Sequence, residues 1–436
     1  MRLRLRLSAL LLAVLICFSG CAVSSKSEAS ASAVTEPVYS WGNVSGKTIT
    51  VWGDKDDLKR SYIVRAFERY EEMTGNVIEA VPLSKKDKDE MLPQVFASET
   101  AQKPDLLLSH GGTNIERLKP DENFYDFTNA PWVDDLTDIA INQTIFNGRV
   151  VGLPHGEASV SGMLYNKEIF KKYNLQIPKT QDEFLEVCEV LLKNGITPVY
   201  LPYAEITMLL YQFPMDSIFK DREVLSKLNN GELSYSQIPE MKKVVQWYKT
   251  MSDKGYFGKD YINNNWDGMD NAMKSDKYAM MLCWDTWIYT SFTGDPAKLG
   301  LMPAFIGTPY EGCFEGANIV MFLANRKSPQ LDASLDLISF LADPYNYNYA
   351  FEGIYTAPAF KRQTGSYATP EYMEADSLID SLFYDSTASL RVRGFSQIDA
   401  TYIQDFMQGK TSLEQCLRLM DEARIKRAGK TSSDVN

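Results

Sequence analysis

Thr48-Ile-Thr-Val-Trp52 is a short run of β-branched and aromatic residues, broken by Gly53-Asp-Lys-Asp-Asp57. Ile63, Phe67 and Tyr70 follow at helical spacing, and Thr74-Gly75 ends the helix they predict. Val77 to Val81 reads as a second strand, and Asp87 to Ser98 as a second helix. Pro104-Asp105 leads into Leu106-Leu-Leu108, a short buried strand stopped by Ser109-His-Gly-Gly112. Strand, helix, strand, helix, strand is the alternation of an α/β layer with a parallel sheet.

Val150 to Leu153 and Val160 to Tyr165 read as further strands. Thr180-x-x-Glu183 is a capping box, and the helix it opens carries Phe184, Val187, Cys188, Leu191 and Leu192 on one face. Asn194-Gly195 ends that helix, and Val199-Tyr-Leu201 returns as a strand. Helix then dominates, with candidates at Ile238–Lys254, Trp266–Ser275 and Asp332–Ala342. Ser412-x-x-Gln415 caps a last helix with Leu413, Cys416, Leu417 and Met420 on one face. Tyr278–Cys283 and Ala317–Ala324 read as buried strands.

The N-terminus reads as an address. Arg2, Arg4 and Arg6 precede an apolar run from Leu7 to Phe18, interrupted only by Ser8 and too short to span a bilayer comfortably. Phe18-Ser-Gly-Cys21 closes it, giving the charged, apolar and small-residue regions of an export signal. A cysteine directly after the processing site resembles the bacterial lipobox, whose thiol takes a lipid and becomes the mature N-terminus. Phe18 departs from the usual aliphatic residue there, and an ordinary secretory signal with a chance Cys21 is the alternative. Ala22 to Glu36 has no aromatic residue and reads as part of a flexible tether.

Composition narrows the rest. The chain has 436 residues, 44% of them hydrophobic and 12% aromatic, enough for a sizeable core. Two or three domains are expected for what remains after residues 1–20. The net charge is −12, and removing the three signal arginines leaves −15, which argues against a nucleic-acid partner. No second apolar run approaches membrane-spanning length. Cys188, Cys283, Cys313 and Cys416 form no CxxC pair, so neither a zinc site nor a disulfide framework is expected, though a Cys283–Cys313 bridge stays open. No HExxH, GxSxG or GxGxxG occurs. Asn263-x-Asn265-x-Asp267-Gly268 resembles the start of a calcium loop but has Lys274 in place of the closing glutamate. No metal, cofactor or catalytic residue is expected.

One series of pieces is specific enough to name a family. Gly148-Arg-Val-Val-Gly-Leu-Pro154 is followed by Met163-Leu-Tyr-Asn-Lys-Glu-Ile-Phe170, Ile177-Pro-Lys-Thr-Gln-Asp-Glu-Phe184 and Gly195-Ile-Thr-Pro198. Together they resemble the extracellular solute-binding lipoproteins of ABC importers (family 1), the carbohydrate-binding cluster that includes maltose-binding protein. Glu71-Glu-Met-Thr-Gly75, Lys103-Pro-Asp105, Lys277-Tyr-Ala-Met280 and Gly409-Lys-Thr-Ser412 resemble its flanking elements. The resemblance covers nearly all of Gly46 to Ala428.

It implies a two-lobed, periplasmic-binding-protein-like (type II) α/β fold whose hinge closes on ligand. Residues 1–20 would be the signal peptide and 21–45 the tether. Residues 46–156 with 317–346 would form the N-terminal lobe, 157–316 with 347–428 the C-terminal lobe, and 429–436 a disordered tail. Crossings would fall near Glu157–Ser161, Glu311–Gly316 and Tyr347–Phe351.

Sugars need planar aromatic platforms and side chains that make several hydrogen bonds. Trp52, Asp54 and Lys55 follow or end the first strand, where the family has its first contact loop. His110, Thr113 and Asn114 follow the third strand. Tyr203 and Glu205 stand where the family places an aromatic platform and an acid. Trp284 and Trp287 bracket the family's Gly-x-Trp slot, which leaves open which ring stacks. Glu157 and Asn318 lie near crossings, and Phe395 precedes a late helix; Trp132 and Trp266 read as helix packing. The implied protein is a monomer lipid-anchored at Cys21 on the extracytoplasmic face of the cell membrane. It would capture a carbohydrate and pass it to an ABC permease. A secreted carbohydrate-active enzyme, and a binding protein for a peptide or polyamine, are the alternatives.

Overall fold

A computed structural model describes residues 39–84, 87–205, 216–219, 221–307, 319–378 and 388–432. Residues from Val38 onward form one compact unit. Cys21, Cys313, Asn318, the Glu311–Gly316 crossing and residues 433–436 of the expected 429–436 tail lie outside the described residues, while residues 429–432 continue the last helix.

The opening stretch folds as its pattern requires. In β1 (Thr48–Asp54), Ile49 and Val51 point into one core while Trp52 packs on the opposite face. Helix α1 (Ser61–Thr74) buries Tyr62, Ile63, Ala66, Phe67 and Tyr70. Gly75, at φ 71°, closes it by donating its N–H to Glu71 O at 2.9 Å, a left-handed cap that favours glycine. β2 (Val77–Leu83) and β3 (Leu106–His110) run parallel to β1 on either side.

The sheet is mixed rather than all parallel. After β3 come β4 (Leu153–Pro154), β5 (Ser161–Asn166), β6 (Thr197–Tyr200), β7 (Tyr278–Trp284), β8 (Leu299–Met302) and β9 (Val320–Ala324). The first sheet has the order β2-β1-β3-β9-β4, with β9 antiparallel to both neighbours. The second has the order β8-β5-β7-β6, with only β6 and β7 parallel. Strand direction is set by the route of the connection, which composition does not record.

Helices cover both sheets. α2 (Gln181–Lys193) starts where the capping box places it, with Glu183 N–H donating to Thr180 Oγ1 at 3.2 Å. α3 (Pro239–Asp253), α4 (Leu331–Ala342), α5 (Pro344–Ala350), α6 (Ala400–Met407) and α7 (Leu413–Ser432) follow. The helix expected from Trp266 begins only at Met269. Cys188, Cys283 and Cys416 are buried free thiols. No described helix is long and apolar enough to cross a membrane.

Asp105 links the first sheet to the loop before α4. The Thr50 N–H and hydroxyl each donate to Asp105 Oδ2 at 2.8 Å, and Ser328 Oγ donates to Oδ1. Asp105→Ala would strand these buried donors, so urea denaturation will show a loss of about 2–3 kcal/mol.

Two chain segments run side by side between the sheets. Ala158 N–H donates to Thr356 Oγ1 at 2.6 Å, and Ala357 N–H donates to Ala158 O at 2.8 Å. Buried Asp285 fastens the same place, accepting from Val160 N–H at 2.8 Å and from Thr369 Oγ1 at 2.6 Å. Tyr347–Phe351, expected as the third crossing, lie apart from this pairing. Those residues end α5 on the flank of α1, where Phe351 stacks on Tyr62 at 4.5 Å and Arg65 donates to Ala350 O. The segment beside Ala158 is Thr356–Ala357.

Candidate functional site

β1 and β3 both end at a cavity of about 510 Å³, beyond the carboxyl ends of parallel strands where α/β sheets place ligands. Asp54, Lys55, Asp57, Lys88, His110, Asn114 and Arg117 are among its lining residues. Asp54 pairs with Lys88 and accepts from Asp56 N–H at 2.8 Å. Burial works to raise the Asp54 carboxyl, but these partners hold it below its ordinary value. Asp57 Oδ2 lies 4.0 Å from His110 Nε2. Burial raises the Asp57 carboxyl against the pull of His110, and burial lowers the His110 imidazole against the pull of Asp57. His110 Nδ1 is buried away from solvent.

Glu157, at the first crossing, lies 3.6 Å from Arg60 at the foot of α1. Burial raises its carboxyl above the ordinary range, with Arg60 opposing. Lys55 and Asn114 are exposed on the cavity wall, and Thr113 is half-buried beside it. Trp52 is not among the lining residues; its ring packs with the cluster around Leu83, Leu92 and Leu107.

At the carboxyl end of β7, Trp284 stacks on Trp266 with ring centroids 5.3 Å apart and planes 23° from parallel. Both rings are half-buried and pack against the first core, with Trp266 in the loop before the Met269 helix rather than inside it. Asn264 Nδ2, two residues from Trp266, is buried without a hydrogen-bond partner. Trp287, by contrast, is 2% exposed and packs against Phe292 in the core. Tyr203 is also a core residue, its hydroxyl accepting from Gln408 Nε2 at 2.6 Å and its ring edge-on to Tyr261. Glu205 is exposed, and Phe395 is half-buried against the second sheet's core.

Asp57, Arg60, Lys88 and Arg117 are not among the contacts expected from the sequence. Asp57 sits in the Gly53–Asp57 break that the sequence shows, so the loop was visible although the inward residue was not. Among the described residues no cluster of three metal-ligating side chains occurs. The cavity offers hydrogen-bonding groups, and the Trp266–Trp284 pair a flat aromatic surface.

A sequence profile of the bacterial extracellular solute-binding proteins matches residues 65–376. The melibiose/raffinose/stachyose-binding protein MelE of Bacillus subtilis is 23% identical over 345 residues, 76% of each chain. An ABC transporter extracellular-binding protein of Pyrococcus horikoshii is 24% identical over 261 residues, 59% of this chain and 60% of its own. Among solved structures, the Bacillus subtilis binding protein msme in an open conformation superposes with a TM-score of 0.74 at 18% identity, over 88% of this chain and 98% of that one. A Bacillus licheniformis sugar transporter protein in complex with stachyose gives 0.64 at 19% identity, over 86% and 98%. The fold is that of the two-lobed type II binding proteins, and the chain belongs to the bacterial extracellular solute-binding protein family.

Proposed function

We propose that the protein captures an oligosaccharide outside the cell and delivers it to an ABC permease, without chemical turnover. The observation that carries this reading is the polar cavity at the ends of β1 and β3, whose charges are largely matched. Asp54 has Lys88, and Lys55 and Arg117 add positive charge to the wall that holds Asp56 and Asp57. A polyamine site would need uncompensated carboxylates. Matched, fixed donors and acceptors suit hydroxyl groups, and the Trp266–Trp284 pair suits the apolar face of a pyranose. MelE and the stachyose-bound neighbour support the same substrate class.

In this reading the first lobe carries the first sheet, α1, α4 and α5, and the second lobe carries the second sheet with α2, α3, α6 and α7. Asp54, Lys55, His110, Thr113, Asn114, Glu157, Glu205, Trp284 and Phe395 remain the proposed contacts, joined by Asp57, Arg60 and Trp266. Cys21 would carry the lipid that anchors a monomer to the membrane.

The test is a thermal-shift series on residues 38–436 with raffinose, stachyose, spermidine and a mixed tripeptide. A ligand that binds only the native state stabilises it by about 2.7 kcal/mol at one hundred times its Kd. A rise of several degrees with one of the sugars, recovered intact, is expected. A rise with spermidine or the peptide alone would overturn the sugar assignment, and cleavage of the sugar would overturn the binding-protein reading.

A further inference from the structure

The loop that follows β3 is held by a segment more than 270 positions away in the chain. Arg393 Nε donates to Glu116 Oε2 at 3.0 Å, and its Nη2 donates to Glu116 Oε1, making a bidentate pair. Glu116 ends the helical turn Thr113–Glu116, directly after His110 and next to the cavity residues Asn114 and Arg117. Ile115 in that turn is buried with Leu107 and Leu118, so the turn belongs to the first sheet's layer.

Arg393 belongs to the other layer. Its N–H donates to Asn229 Oδ1 at 2.8 Å, and Asn229 Nδ2 donates to Arg391 O at 2.9 Å. Arg427 Nε, on α7, donates to Gly394 O at 2.8 Å. Val392 is fully buried in the second sheet's core. The backbone of Arg391–Gly394 is thus fixed to one layer while the Arg393 guanidinium reaches the other. A second contact lies alongside. Gly112, at φ 60°, approaches Leu390 so closely that a Cβ there would sit 2.1 Å from its carbonyl oxygen. Glycine permits both the angle and the approach.

We propose that Glu116 and Arg393 are a positioning pair that latches the second layer onto the His110–Glu116 loop before ligand arrives. Neither side chain lines the cavity. Their pairing fixes the loop that does, and it biases the two layers toward the closed arrangement by the free energy of one half-exposed bidentate pair. A ligand that binds the closed arrangement then meets a larger competent fraction, and its apparent Kd falls in proportion. The latch rests on the two-lobe reading given above, but not on the identity of the ligand.

The experiment is small-angle X-ray scattering of ligand-free residues 38–436, in low salt and in 1 M NaCl. Glu116→Gln, Arg393→Gln and the charge-swapped double variant (Glu116→Arg with Arg393→Glu) are compared with the parent chain. Each single variant is expected to increase the radius of gyration and to raise the apparent Kd for raffinose or stachyose severalfold. The swapped pair is expected to move both back toward the parent values. At 1 M salt, where the screening length is about 3 Å, the parent chain is expected to expand toward the single variants. The salt arm needs no variant to fold. A radius of gyration unchanged by either single substitution and by salt would overturn the latch, even with sugar binding intact. Expansion of the variants in a chain that binds no sugar would sustain the latch and overturn only the sugar assignment.

Discussion

Trp287→Ala will cost about 3–5 kcal/mol of folding stability, while Trp284→Ala will leave the fold near its parent stability and remove most of the sugar affinity. The two rings are three residues apart and have opposite surroundings. Trp287 is among the largest fully buried side chains and packs against Phe292, so truncation opens a cavity in the core. Trp284 ends β7, is half-buried, and presents its ring with Trp266 as a stacked pair. Removing a well-packed aromatic anchor from a binding surface costs about 2 kcal/mol or more, a thirtyfold rise in Kd. Urea denaturation measures the first effect, and titration calorimetry with raffinose or stachyose measures the second. If Trp284→Ala binds as tightly as the parent, the aromatic platform lies elsewhere. Equal destabilisation by both substitutions would show that Trp284 is also core.

That contrast marks how far the sequence could be read. The run Thr48–Trp52 was legible because alternation on a pleated strand leaves a pattern: Ile49 and Val51 in one core, Trp52 on the other face. The capping residue Thr180 and the terminal Gly75 were legible because a helix end needs a local partner or a local angle. Aromatic side chains carry no such local mark. Tyr203 reads as a platform and is a core residue, whereas Trp266 reads as helix packing and stacks on Trp284 from a loop. The long-range polar links are harder still. Asp285 and Thr369 are 84 positions apart, and Glu116 and Arg393 are 277 apart. Nothing local distinguishes these residues from solvated surface charge. The pairing of Ala158 with Thr356–Ala357 is as hard to read, since 198 positions separate Ala158 from Thr356.

Two buried groups at the crossings will give the stability a pH dependence in which their effects oppose. His155, just before the first crossing, is fully buried among Tyr62, Phe322, Tyr347 and Phe351, and neither ring nitrogen has a hydrogen-bond partner. Burial pushes its imidazole from 6.5 down to about 3. Between those values the unfolded chain holds a proton that the native state does not, so His155 withdraws stability as pH falls below 6.5. Asp285 shifts the other way: burial raises its carboxyl from 3.8 to about 6, against its hydrogen bonds from Thr369 and Val160. Between pH 6 and 3.8 the native state holds the extra proton, so Asp285 returns stability as pH falls. Each unit of pH inside a window is worth about 1.4 kcal/mol. From pH 7 to 4.5 the His155 loss is about 3 kcal/mol and the Asp285 gain about 2 kcal/mol, so the parent chain shows little change from this pair. His155→Leu will unmask the gain, becoming more stable relative to the parent at pH 4.5 than at pH 7 by about 3 kcal/mol. Asp285→Asn retains an oxygen for Val160 N–H and an amide donor for Thr369, and it will unmask the loss, weakening relative to the parent by about 2 kcal/mol over the same interval. Guanidinium denaturation at the two pH values measures both differences. Parallel pH dependence in all three proteins would mean that water reaches these groups in the native state, so that the crossings beside them are solvated rather than packed.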